Sequence, residues 1–190
     1  MKSFFVVLLL LLGFAHAQAA SAGGAKAPST PWRYDIFPLN GEIRWERDAT
    51  QQMVDRHPFG LAFGVRNGPS TVLFEYSKFD EKTGNATLAL DRSHEEFLFW
   101  WKQNIMNFEM MDLFIAGAAG GYSEKVTTTL AGSGSSEDST GLQMMGGVSA
   151  GVQSVLFHYV LVSFEGRLMA GKNFDPNPQP GMLLRLGVEF

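Results

Sequence analysis

The segment Met182-Leu183-Leu184-Arg185-Leu186-Gly187-Val188-Glu189-Phe190 alternates without a break. Successive side chains of a strand point to opposite faces. Met182, Leu184, Leu186, Val188 and Phe190 therefore share one face, and Leu183, Arg185, Gly187 and Glu189 share the other. The first face is wholly apolar and ends on an aromatic ring, whereas the second mixes small and charged groups. That is the pattern of a strand with lipid outside and a narrow, partly polar interior.

Read upstream with the same rule, the chain from Leu39 onward divides into eight alternating segments. The outward sets are Ile43 and Trp45; Phe59, Leu61, Phe63 and Val65; Val72, Phe74 and Tyr76; Phe97, Phe99 and Trp101; Met111, Leu113 and Ile115; Leu142, Met144 and Val148; Val160, Val162, Phe164 and Leu168; and the terminal segment. The connections alternate in length. Asn67-Gly68-Pro69, a few residues around Asn104, and Gln153-Ser154 are short. Asp48 to Arg56, Asp80 to Ser93, Ser123 to Ser139 and Gly171 to Pro180 are longer and more polar. Short turns on one side and long loops on the other are a rule of membrane barrels, so the expected fold is an all-β, closed antiparallel eight-stranded transmembrane β-barrel. A water-soluble sandwich would also show short alternating strands, but its second faces would carry Lys, Thr, Ser and Glu. Here they carry Gly60, Ala62 and Gly64, or Ala116, Ala118 and Gly120, or Gly147, Ser149 and Gly151, which suits a narrow lumen.

At the other end, Lys2 precedes an apolar run from Phe4 to Phe14 and then Ala15-His16-Ala17, the three parts of a secretory signal. Residues 1–17 are expected to be cleaved, residues 18–38 to form a flexible tether, and residues 39–190 to form the barrel. The apolar run is too short for a spanning helix, which needs roughly 20 residues. Trp32, Tyr34 and Phe37 lie just before the first expected strand, where they suit either a membrane interface or a plug under the barrel. The formal net charge of -4 becomes one unit more negative when Lys2 leaves. That argues against nucleic acid as a partner. With no cysteine in the chain, disulfides and thiolate chemistry are excluded.

The chain resembles the small eight-stranded outer-membrane barrels of the OmpA/OmpX type, over roughly Leu39 to Phe190, and most specifically in Met182 to Phe190. The resemblance implies location in the outer membrane of a Gram-negative bacterium with both termini periplasmic, contact with outer-membrane lipid and lipopolysaccharide, and insertion by the barrel-assembly machinery. The assembly signal it implies is Met182, Leu184, Leu186, Val188 and Phe190. No counterpart of the peptidoglycan-binding domain of larger members is expected.

Chemistry concentrates on the inward face. Arg44, Glu75, Glu165 and Arg185 fall near mid-strand, two of each sign, and are expected to form a lumen charge cluster, because a charge in a closed lumen is costly unless paired. Glu42, Glu46, Arg66, Glu96, Lys102, Asp112, Arg167 and Glu189 also point inward. So do the large residues Leu73, Leu98, Trp100, Met110, Phe114, Met145, Tyr159, Leu161 and Leu183. Where these meet the Gly- and Ala-rich strands the lumen is sealed; where they do not, a small apolar pocket remains, as in the OmpW type of barrel.

An enzyme needs groups that the registers do not assemble. His57 sits in a loop, His94 begins a strand, His158 falls on a lipid-facing register, and His94-Glu95-Glu96 lacks the second histidine of a zinc protease. Gly117-Ala118-Ala119-Gly120-Gly121 has no following helix to cradle phosphate. The stretch Gly132 to Ser136, followed by Glu137 and Asp138, reads as a mobile acidic loop. The expectation is a structural or surface-interaction barrel without catalytic residues, cofactor or metal, able to meet a surface ligand through its long loops. A small channel or carrier for small or hydrophobic compounds is the alternative, and a lipid-modifying enzyme a distant third.

Overall fold

The computed structural model describes residues 31–47, 51–84, 87–109, 111–132 and 134–190. Among them run ten antiparallel strands: β1 (Arg33–Arg47), β2 (Met53–Arg56), β3 (Phe59–Asn67), β4 (Ser70–Gly84), β5 (Leu88–Phe108), β6 (Met111–Leu130), β7 (Gly134–Ser139), β8 (Gln143–Leu156), β9 (Val160–Gly171) and β10 (Gln179–Glu189). Eight of them, in the order β1-β3-β4-β5-β6-β8-β9-β10, form a ring that β10 closes by pairing with β1. β2 attaches to β1 and β7 to β6. Closure leaves the ring without an edge, the condition for a sheet to cross hydrocarbon.

The inside-outside alternation holds along the ring. On β10, Leu184 is 48% exposed while its neighbour Leu183 is 1% exposed. The exposed face of the ring forms an apolar belt. Its upper limit on β4 and β5 is the tilted Tyr76–Phe97 ring pair, because the next outward pair is Lys78 and Glu95. At one end, the turn end, lie Arg33, the three short turns and Phe190; the Tyr34 and Phe190 backbones exchange two 3.0 Å hydrogen bonds there. The other connections lie at the opposite, hairpin end.

The structure corrects several expected boundaries. β1 begins at Arg33, so residues 33–38 belong to the barrel and not to a tether; the rest of that tether and the signal lie outside the described residues. Pro38 hid this, since proline lacks the N–H a central strand needs. The chain accommodates it with a bulge, where the β1 register shifts against both β10 and β3. Phe37 turns inward and is fully buried, while Trp32 and Tyr34 stay exposed. β5 continues past Asn104 to Phe108, with a register shift between Asn104 and Met106. β8 and β9 pair on to Leu156 and Val160, so the turn is Phe157-His158-Tyr159 and not Gln153-Ser154. Tyr159, expected inside, is 66% exposed in that turn, and His158 sits beside it rather than on a strand. Phe157 and His158 adopt φ of 52° and 69°, a left-handed conformation uncommon for bulky residues.

Two expected loops are mostly strand. β4 and β5 pair out to Gly84 and Ala89, and β6 pairs with both β5 and β7 up to Leu130. The stretch expected to be a mobile acidic loop therefore contains β7. Together β4, β5, β6 and β7 extend beyond the apolar belt as a projecting sheet.

The interior is packed. Phe37, Ala62, Leu73, Leu98, Trp100, Phe114, Ala116, Tyr122, Met145, Leu161 and Met169 form one buried cluster drawn from every ring strand except β10, which adds the buried Leu183. Large side chains fill the space left by small ones. A Cβ on Gly187 would lie 2.6 Å from the Phe37 ring, so glycine is what lets Phe37 enter. Met110 lies outside the described residues.

Candidate functional site

Period-2 strands place residues i and i+2 on the same face, so Glu42-Arg44-Glu46 on β1, Arg92-His94-Glu96 on β5 and Glu165-Arg167 on β9 each present a short column of charge to the lumen. Ring closure brings the columns together as a continuous ionic ladder. Its centre is Arg167, whose Nη1 and Nη2 donate to Glu75 at 2.7 Å each, with Glu165 at 3.1 Å and Glu42 at 3.2 Å. Arg185 bonds the same Glu75 and Glu165 from β10. Ser149 donates to the other Glu165 oxygen at 2.8 Å. Glu42 is the bridge to the next rung, accepting from Arg44 Nε and Nη2 at 3.0 Å. Arg44 in turn holds Glu96, with Ser77 adding a 3.2 Å bond. Arg44, Glu75, Glu165, Arg167 and Arg185 are all buried.

Above the belt the ladder continues through His94 and Glu46, expected on strands, and through Arg56, Glu81, Arg92, Glu124 and Gln179, which the sequence pattern placed in loops. His94 Nε2 lies 2.8 Å from Glu96, and its Nδ1 lies 3.5 Å from Glu124. Arg92 makes paired 3.0 Å bonds to Glu124 and a 2.7 Å bond to Glu46. Glu46 also accepts from Arg56 at 2.7 Å and from Gln179 at 3.2 Å, and Arg56 reaches Glu81. His94 and Glu124 stand beyond the Lys78–Glu95 level that ends the belt. Burial opposes charge on His94, but Glu124 and Glu96 outweigh it and raise its pKa above the ordinary histidine value. Contact with His94, aided by Arg92, holds Glu124 low, at about 2.

The expected four-residue cluster is thus distributed. Arg185 holds both Glu75 and Glu165, whereas Arg44 joins them only through Glu42 and Arg167. The hub, Arg167, was one of the other inward charges. Arg66 and Glu189 form a separate group at the turn end: Arg66 bonds Asp35 and approaches Glu189 at 2.9 Å each, and Arg33 meets Glu189 at 2.6 Å. Lys102 is buried with no carboxylate partner among the described residues; it bonds Gln153 and lies 3.7 Å from the Phe114 ring centroid. Asp112 is half-buried and holds Asn104 at 2.9 Å and Asn107, not a cation. The reach of β5 and β6 past the belt, which would have put Arg92, His94 and Glu124 on the ladder, had a signal in their shared parity with Glu96 and Tyr122.

Such an arrangement can fix eight strands in one register and exclude free ions from the bore. Among the described residues no group of His, Cys, Asp and Glu is disposed to hold a metal ion. An antiparallel ring of eight strands, apolar outside and salt-bridged inside, matches solved structures along nearly its whole length. The fold is that of a small outer-membrane barrel. Ail, the attachment invasion locus protein of Yersinia pestis, solved with the heparin analogue sucrose octasulfate, aligns over 85% of this chain and 100% of its own, with a TM-score of 0.60 at 15% identity. Neisserial surface protein A aligns over 86% and 98%, at TM-score 0.60 and 10% identity. The N-terminal barrel domain of Pseudomonas aeruginosa OprF covers 86% and 100%, at TM-score 0.50 and 10% identity. At these identities the likeness is one of fold, the OmpA/OmpX type. Neither a family model nor a curated protein sequence matches the chain.

Proposed function

We propose that the protein is an integral outer-membrane barrel of a Gram-negative bacterium whose lumen is a plug, and whose work is mechanical or recognitional, carried out at its outer surface. The observation that carries the reading is the bidentate Arg167–Glu75 pair, tied to Glu42 and Glu165 in a bore already filled by Leu73, Trp100, Phe114 and Leu161. The Glu42, Glu75 and Glu165 oxygens all accept hydrogen bonds already, which leaves a passing cation no free carboxylate at the centre of the bore. Conductance of the purified protein in a planar bilayer tests this: the intact barrel should hold a closed baseline, and steady ohmic conductance would instead support the channel reading. The contiguous apolar cluster speaks against a carrier for hydrophobic compounds, since the space such a compound would need is occupied by side chains.

In the same proposal the turn end, with both termini, faces the periplasm and the hairpin end faces outward. The outer-membrane lipid and lipopolysaccharide cover the belt, and the barrel-assembly machinery reads Met182, Leu184, Leu186, Val188 and Phe190. The projecting sheet of β4 to β7 then stands outside the cell as the surface for a ligand. Its β7 edge is fully exposed and carries Ser, Glu and Asp. Ail, which has the same fold, was crystallised with a polysulfated sugar; for this chain the shared feature is only an outer surface held rigidly above the membrane. Among the described residues no catalytic constellation supports an enzymatic reading. Proteolysis of intact cells checks the orientation: cleavage is expected within residues 84–88 or 130–134, and cleavage at Asn67 to Ser70 would reverse it.

A further inference from the structure

At the hairpin end the buried part of the charge ladder, which reaches as far as His94, is covered by aromatic rings. The rings of Phe79, His94 and Tyr122 stack in sequence, with centroids 5.0 and 5.2 Å apart and planes within 19° of parallel. On this stack sits Phe174, from the connection between β9 and β10, at 5.1 Å from Tyr122 and 6.5 Å from His94. The connection is tied down at several points. The Asn173 backbone N–H donates to the Tyr122 hydroxyl at 3.3 Å, the Asn177 side chain to the Gly171 carbonyl at 2.9 Å, and the Arg47 backbone to the Asp175 carbonyl at 2.7 Å. A Cβ on Gly171 would lie 3.1 Å from the Phe174 ring. Glycine there gives the ring room to lie flat over the mouth.

We infer that residues 172–178 are a stopper for the barrel mouth, seated through Phe174 on the Tyr122–His94 stack, and that the charge on His94 sets how firmly it sits. Both ring nitrogens of His94 face carboxylates, Glu96 on one side and Glu124 on the other. Only the imidazolium can serve both, because the neutral ring turns a lone pair toward one of them. The other charged groups around His94 are Arg44 and Arg92, already held by Glu42, Glu96, Glu46 and Glu124. Phe79, Tyr122 and Phe174 present uncharged rings, and on the stopper itself Asp175 turns to Arg47 at 3.9 Å. Since the carboxylates raise the His94 pKa, its contribution to seating is complete below the ordinary histidine range and is lost as pH rises through the raised value.

The stopper can be tested apart from the question of conductance, because access to the mouth and passage through the bore are different readouts. Tyr122 is 1% exposed and lies directly under Phe174, at the mouth rather than deep in the bore. Tyr122→Trp, in a background with Trp32, Trp45, Trp100 and Trp101 changed to Phe, is a single reporter for acrylamide, a neutral water-soluble quencher. Phe174→Ala should raise the quenching constant severalfold at neutral pH. His94→Gln should raise it at every pH, and the parent should pass from protected to accessible as the medium turns alkaline. Equal quenching of parent and Phe174→Ala overturns the stopper. A parent whose protection ignores pH, or matches that of His94→Gln throughout, overturns the role of the histidine. Retained heat-modifiable migration on a gel shows that each variant is still a closed barrel.

Discussion

Arg167→Ala should destabilise the folded barrel by ~3–5 kcal/mol, the cost of breaking a buried pair and leaving its partner charge behind. The substitution removes four hydrogen bonds at once: two to Glu75, one to Glu165 and one to Glu42. Glu165 and Glu75 keep Arg185, and Glu42 keeps Arg44, so the ladder is not dismantled but gains one further unit of uncompensated negative charge at its centre. Urea unfolding from lipid vesicles measures the loss. Combining Arg167→Ala with Glu75→Ala should recover part of it, with a coupling of about 0.5–3 kcal/mol as found for residues in one network. If Arg167→Ala costs under about 1 kcal/mol, the range of solvent-exposed pairs, the ladder is hydrated and the plug reading falls with it.

Leu184→Arg should cost about 2–4 kcal/mol if its position is near the bilayer midplane. Leu184 lies on the belt between Gly41 of β1 and Phe164 of β9, and is exposed toward lipid. The paired control is Gly166→Ala on β9, where a Cβ would meet nothing within 4 Å; its expected effect is close to zero. The same unfolding experiment reads both. A Leu184→Arg variant as stable as the parent would mean that this face is not in hydrocarbon, and the placement of the belt in the membrane would fall.

What was legible in the sequence was parity within the belt. Hydrophobicity there switches with every residue because the two faces meet different media, so Leu184 and Leu183 can be told apart without coordinates. Outside the belt the two faces meet similar media, and the switching fades. Residues 80–93 and 123–139 therefore read as loops, although backbone hydrogen bonds carry β4, β5 and β6 through them regardless of side chain. Gln153 reads as part of a turn, yet it is a polar residue on the inward face of β8 that accepts a hydrogen bond from Lys102. Arg167 was seen to face inward, but its place as the hub was hidden. Which charge meets which across a barrel depends on the stagger of the strands, a property of ring closure and not of any one segment.

Pro38 lies on the seam between β1 and β10 that closes the ring. β1 and β10 are almost the whole chain apart, and every other ring contact joins strands that are near neighbours along the sequence; long-separation contacts are the slow ones to form. A slip of two residues along this seam would keep every side chain on its proper face, so parity alone cannot proofread it. The bulge at Pro38 can. It fits only where β10 offers Gly187 to receive the Phe37 ring, and in that alignment Tyr34 meets Phe190 while Asp35 meets Glu189. The proline that disguises the first strand in the sequence thus works as a notch, letting the two ends of the chain recognise one alignment among several that their hydrophobic pattern would tolerate.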